Sequence, residues 1–154
     1  MDVEIKEMPE LRVGTLRHIG PYTQISQAFE RLGAIAGPAG LFQQPGAAMM
    51  AIYHDDPRVV SPDQLRSDAA IVVPENVALP EGLAEQRVAA GRYACAVHIG
   101  PYEKLDGVWA RFLGEWLPAS GHRMSAGASY EIYRNDPTKV PKAELRTDMY
   151  LPVA

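Results

Sequence analysis

An α+β fold is predicted by three features of this chain: an ungapped internal repeat, short alternating apolar segments, and one amphipathic helix in each repeat. Shifting the sequence by 80 residues aligns residues 1–74 with 81–154, and 19 of the 74 pairs are identical. His18-Ile19-Gly20-Pro21-Tyr22 returns as His98-Ile99-Gly100-Pro101-Tyr102. Ile52-Tyr53 with Asp56-Pro57 returns as Ile132-Tyr133 with Asp136-Pro137, and Leu65-Arg66 with Asp68 as Leu145-Arg146 with Asp148. Two copies are too few for a solenoid. They are read as completing one core, so residues 1–154 form a single domain of two pseudo-repeats related by a pseudo-two-fold axis.

Each repeat supplies strand, strand, helix, strand, strand. In the first, Val3–Glu7 and Leu11–His18 alternate and are rich in strand formers. Gly20-Pro21 punctuates the chain, with Pro at the first helical position. A helix then runs to about Ala36, its stripe being Ile25, Ala28, Phe29 and Leu32. Gly37-Pro38 stops it, and strands Met49–His54 and Ser67–Val73 follow. The second repeat gives strands Ala84–Ala89 and Arg92–His98. Its helix runs from about Pro101 to Leu117 with the stripe Leu105, Val108, Trp109, Phe112 and Trp116. Strands Ala128–Arg134 and Arg146–Leu151 complete it, and Pro74–Gly82 connects the halves. The predicted architecture is an eight-stranded, mostly antiparallel sheet. It carries two main helices on one face, and the other face forms a concave ligand pocket.

The composition restricts function. With 15 basic and 19 acidic residues, the net charge of −4 argues against a nucleic-acid-backbone binder. Cys95 is the only cysteine, so no disulfide forms within the chain, and a reducing cytoplasm fits. No signal-peptide core or membrane-spanning run is present. The histidines lack ligand spacing, and the glycines follow no phosphate-loop pattern, so neither a metal nor a cofactor is expected. His18 and His98 read as anchors of the strand–helix turn. The duplicated Arg66/Asp68 and Arg146/Asp148 read as structural.

The candidate site lies where the halves differ. On Ser129–Tyr133 a period of two puts Ile132, like Ile52, towards the helices, and Glu131 and Tyr133 on the other face. Glu131 replaces Ala51, whereas Tyr53 and Tyr133 match. A strand interior disfavours Glu. A carboxylate among aromatics would attract a cation or take up a proton; otherwise it is solvated, or paired with an arginine such as Arg146. Tyr150 replaces Ala70 and is expected to share the concavity with Glu131 and Tyr133, or else to be an ordinary core or surface aromatic. Tyr93 faces either the pocket or the sheet interior. Trp109 lies on a helical stripe, which favours a core role over a ligand cage.

The segments Ala51–Pro57, Ser61–Asp68, Leu79-Pro80-Glu81, Gly91–Val97, Tyr130–Tyr133 with Asn135-Asp136-Pro137, and Thr147–Val153 together resemble the GyrI-like family. That family comprises the DNA gyrase inhibitory protein and the effector-binding domains of AraC-type and MerR-type multidrug regulators. The resemblance covers nearly the whole chain and implies a duplicated strand-helix-strand-strand fold. It also implies a pocket for bulky, often cationic aromatic compounds over a central acidic residue, here Glu131. The candidate lining read from the residues themselves is Tyr133, Tyr150, Tyr53, Tyr93 and Trp109. DNA gyrase is the partner it suggests. Some similar free-standing members hydrolyse strained cyclopropane toxins with a glutamate and a tyrosine, here Glu131 and Tyr150. No helix-turn-helix accompanies the domain, so direct DNA binding is not expected.

Overall fold

The computed structural model describes residues 1–154. Its strands are β1 (Val3–Met8), β2 (Leu11–Ile19), β3 (Met49–Tyr53), β4 (Arg66–Val72), β5 (Ala84–Val88), β6 (Gly91–Ile99), β7 (Ser129–Tyr133) and β8 (Arg146–Pro152). Helix α1 (Ser26–Ala36) follows a 3-10 turn at Tyr22–Gln24. Helix α2 (Leu105–Arg111) follows a 3-10 turn at Tyr102–Lys104 and runs through a π turn, Phe112–Trp116, into α3 (Leu117–Ser120). No helix is long and apolar enough to cross a membrane. The fold is thus α+β, with all eight strands antiparallel in one open sheet.

Pro21 is not the first helical residue. It is extended, at φ −53° and ψ 136°, and caps the 3-10 turn. The turn is shaped by Gly20 and Gly100, at φ +131° and +140°, a region costly for any side chain. Their N–H groups donate to the Leu65 and Leu145 carbonyls, both at 2.8 Å. His18 Nε2 and His98 Nε2 lie 3.0 and 3.1 Å from the Pro21 and Pro101 carbonyl oxygens. In the first half Gly37-Pro38 ends α1. In the second, Pro118 is accommodated by the π turn, in which Leu117 N–H donates to Phe112 O. Proline lacks an N–H and collides with the carbonyl four residues back, so the helix widens there and continues.

The strand order β1-β6-β8-β7-β3-β4-β2-β5 reads the same from the other end once β1–β4 and β5–β8 are exchanged. The central pair is β3 with β7, and there Ala51 lies opposite Glu131. These residues are 80 apart, so the pseudo-dyad passes through this pair. Each half also lends an outer strand to the other: β1 pairs with β6, and β5 with β2. The exposed edges carry Glu4 with Lys6 and Glu85 with Arg87, charges that discourage edge-to-edge association.

The sheet must curl. Strand β5 ends the order and β6 stands second from its other end, yet only Ala89 and Ala90 separate them in sequence. Strands β1 and β2 are likewise joined by Pro9 and Glu10 alone. At about 3.5 Å per residue, such links bring the two ends of the sheet together. The concave face therefore closes on itself. Val13, Met50, Ile52, Ala70, Val88, Tyr93, Tyr130, Ile132 and Tyr150 form a packed cluster there without a helix over them.

The convex face carries both helices. Ala28, Leu32 and Ala36 of α1 pack on Leu16, Ala69 and Ile71. Leu105, Val108, Phe112, Leu113 and Leu117 pack on Ala94, Ala96, Met149 and Leu151. Each fully buried Leu or Phe contributes about 1.5–3 kcal/mol. This reverses the expected facing of β7. Ile52 and Ile132 fill the concave core, whereas Glu131 and Tyr133 lie on the helix side. Central strands buried on both faces alternate between two apolar environments, so the alternation itself does not say which residues meet the helices.

Candidate functional site

Glu131 is fully buried on the helix side of β7. Its Oε1 accepts from the Tyr53 hydroxyl at 2.6 Å, across the β3–β7 pair. The same oxygen accepts from the Trp109 indole N–H of α2 at 2.8 Å. Oε2 has no hydrogen-bond partner. Burial pushes the carboxyl pKa up, and the Tyr53, Trp109 and Tyr133 side chains only partly offset this. Burial and the adjacent Glu131 charge hold the Tyr53 and Tyr133 hydroxyls well above their ordinary range. Tyr22 is pushed up to about 12, chiefly by burial.

Six aromatic side chains form a cluster that includes both donors to this carboxyl. Tyr22 lies against Tyr53 with ring centroids 4.6 Å apart, and Tyr102 against Tyr133 at 5.2 Å. Phe29 of α1 meets Tyr133 edge-on at 5.6 Å, and Trp109 of α2 meets Tyr53 edge-on at 5.9 Å. These rings come from the helix beginnings and the central strands of both repeats. They bridge the two helix-side cores, and the group as a whole contains a single buried acid.

The other sequence candidates divide. Tyr53, Tyr133, Glu131 and Trp109 are brought together, Trp109 as a hydrogen-bond donor as well as a packed ring. Tyr93 and Tyr150 are not with them. Tyr150 is opposite Tyr130 in the β7–β8 register, while Glu131 is opposite Met149. Tyr150 therefore stacks on Tyr130 at 4.7 Å in the concave core, with Tyr93 edge-on to Tyr130 at 5.3 Å. The expected convergence of Tyr150 with Glu131 does not occur, because neighbouring residues on a strand point to opposite faces. Nor does Glu131 pair with Arg146, which binds Asp148 at 2.9 Å.

The duplicated Arg and Asp residues do not make equivalent pairs. Arg66 binds Asp55, whereas buried Asp68 is held by Arg17, His54 and Gln86. Sequence reasoning also passed over Tyr22, Phe29 and Tyr102 as site residues. A signal was available: Tyr22 and Tyr102 belong to the repeated Gly-Pro-Tyr, and Phe29 and Trp109 are aromatics 80 residues apart.

A family model described as a GyrI-like small-molecule-binding domain matches residues 1–154. A DNA gyrase inhibitor from Serratia proteamaculans (strain 568) is 38% identical over 144 residues, which is 88% of each chain. Among solved structures, the C-terminal domain of EcmrR superposes with a TM-score of 0.76 at 22% identity, covering 99% of this chain and 97% of that one. SAV2435, solved bound to tetraphenylphosphonium, gives a TM-score of 0.73 at 14% identity, covering 100% of this chain and 94% of that one. The two structural likenesses show a common fold.

Proposed function

Because the chain belongs to the GyrI-like small-molecule-binding family, we propose that it holds amphipathic, cationic aromatic compounds between α1 and α2, with Glu131 as counter-ion. The observation that carries this reading is a fully buried carboxyl, one oxygen of which has no partner, set in a cluster of six aromatic rings. Leaving a buried acceptor unsatisfied costs about 1–3 kcal/mol, and more if it is charged. A desolvated cation would offset that cost and gain about 2 kcal/mol from the aromatic faces. The tetraphenylphosphonium held by SAV2435 is a ligand of this class and supports the reading.

The test is a titration with tetraphenylphosphonium, read by calorimetry and by fluorescence of the two tryptophans, Trp109 and Trp116. A carboxylate about 5 Å from the cation, at an effective dielectric of about 20, is worth roughly 3 kcal/mol. Glu131→Gln should therefore weaken binding by at least about tenfold. Equal binding by this variant would remove Glu131 as counter-ion.

The gyrase inhibitor relative supports a second reading, in which the domain also contacts DNA gyrase in the cytoplasm and moderates its response to toxins. A supercoiling assay with purified gyrase decides this, since no inhibition at molar excess would remove it. If the site instead hydrolyses strained electrophiles, Glu131 would be the base and Tyr53, not Tyr150, the hydroxyl beside it. Mass spectrometry would then show water added to a cyclopropane substrate.

A further inference from the structure

The aromatic cage has a symmetry that its acid does not share. An offset of 80 relates Tyr22 to Tyr102, Phe29 to Trp109, and Tyr53 to Tyr133. The contacts obey the same relation. Tyr22–Tyr53 at 4.6 Å corresponds to Tyr102–Tyr133 at 5.2 Å, and Phe29–Tyr133 at 5.6 Å to Trp109–Tyr53 at 5.9 Å. The dyad passes between Ala51 and Glu131, so the one carboxyl in the cage lies beside the symmetry axis, near both Tyr53 and Tyr133. Two similar walls of π surface, differing at Phe29 and Trp109, thus flank a negative charge near their junction, its hydrogen bonds coming from Tyr53 and Trp109.

Resting on the cation-binding reading above, we infer that this site selects pseudo-two-fold monocations, with two equal aryl arms flanking a central positive charge. A ligand of that shape puts its charge over Glu131 while each arm meets one wall. A cation with its charge at one end must either move that charge off the axis or leave one wall without a partner. Either arrangement loses part of the cation–π or the ion-pair contribution. The asymmetry at position 51 is consistent with this. A second acid opposite Glu131 would put two like charges in one site, raising the cost of ionising either.

The test compares two isomers of the same formula and charge, dibenzyldimethylammonium and (4-benzylphenyl)trimethylammonium, by calorimetry on the wild-type protein. The dibenzyl isomer is expected to bind at least about tenfold more tightly. Equal affinity, a reversed order, or binding of tetraphenylphosphonium but of neither isomer would overturn the inference. If tetraphenylphosphonium binding depends on Glu131 and the isomers do not differ, the symmetry inference alone fails. If no cation binds, both readings fail.

A second arm rotates the polar groups about the dyad with Phe29→Trp, Ala51→Glu, Trp109→Phe and Glu131→Ala combined. Thermal melting first establishes that this variant folds. A folded variant should bind the dibenzyl isomer within about threefold of wild type, a difference well under the roughly 1.4 kcal/mol that corresponds to tenfold. A folded variant that does not bind it would refute the equivalence of the two walls. Should it not fold, the isomer comparison decides alone.

Discussion

Replacing Glu131 by glutamine should stabilise the protein, increasingly so as the pH rises. The side chain is fully buried, and its Oε2 has no partner. Burial raises its pKa more than the Tyr53, Trp109 and Tyr133 side chains lower it. The folded state therefore holds this proton more tightly than the unfolded chain, whose glutamate titrates near about 4.3. Stability is complete below that value and declines as the pH rises through the window between the unfolded and folded pKa values. Glutamine mimics the protonated form, still accepts from Tyr53 and Trp109, and carries no charge to desolvate. Glutamine leaves an unpartnered amide nitrogen in place of Oε2, so the gain is the extra cost of the charge alone; taking about 2 kcal/mol for it, and about 2–4 °C per kcal/mol at this size, Tm should rise by roughly 4–8 °C near pH 8. Melting curves by circular dichroism near pH 4 and near pH 8 provide the assay, and the difference should nearly vanish at the lower pH. A variant less stable than wild type near pH 8, or a gap independent of pH, would refute the reasoning. The same substitution is expected to weaken cation binding, so stability and function would move in opposite directions.

Asp68 should behave in the opposite sense. Burial pushes its pKa up, but His54, Arg17 and Gln86 outweigh it and hold it at about 2. Its contribution is present above the unfolded value of about 3.9 and is lost as the pH falls through about 2. Asp68→Asn should cost about 2–3 kcal/mol at neutral pH, allowing for the exposure of Arg17, and urea titrations should show the gap closing in acid. Gly100→Ala should cost at least about 1 kcal/mol, because φ there is +140° and a Cβ would stand 3.4 Å from the His98 ring. An unchanged urea midpoint would contradict this. Residues 1–74 and 81–154 expressed separately should each be unfolded by far-ultraviolet circular dichroism and regain structure when mixed, since β1 pairs with β6 and β5 with β2. A cooperatively melting single half would show that the exchanged strands are dispensable.

The repeat, the order of elements and the acid that breaks the symmetry were all legible in the chain, because each depends on residues close in sequence or at a constant offset. Alternation marked the strands, Gly-Pro marked the turns, and Ala51 against Glu131 marked the place where the halves differ. The facing of that acid was not legible. β7 lies between β3 and β8 with both faces buried, so its Tyr-Glu-Ile-Tyr alternation gives the period and not the direction. The direction is set by two-residue links that curl the sheet, close the concave face on Ile132, Tyr130 and Tyr150, and leave Glu131 to the helices. The same cause moved Tyr150 out of the site and brought in Tyr22, Phe29 and Tyr102. The sequence alone determined that one half would carry a lone carboxyl on a central strand. Tertiary packing decided which rings surround it, because only the joining of two repeats across β3 and β7 brings residues from both helices to the pseudo-dyad.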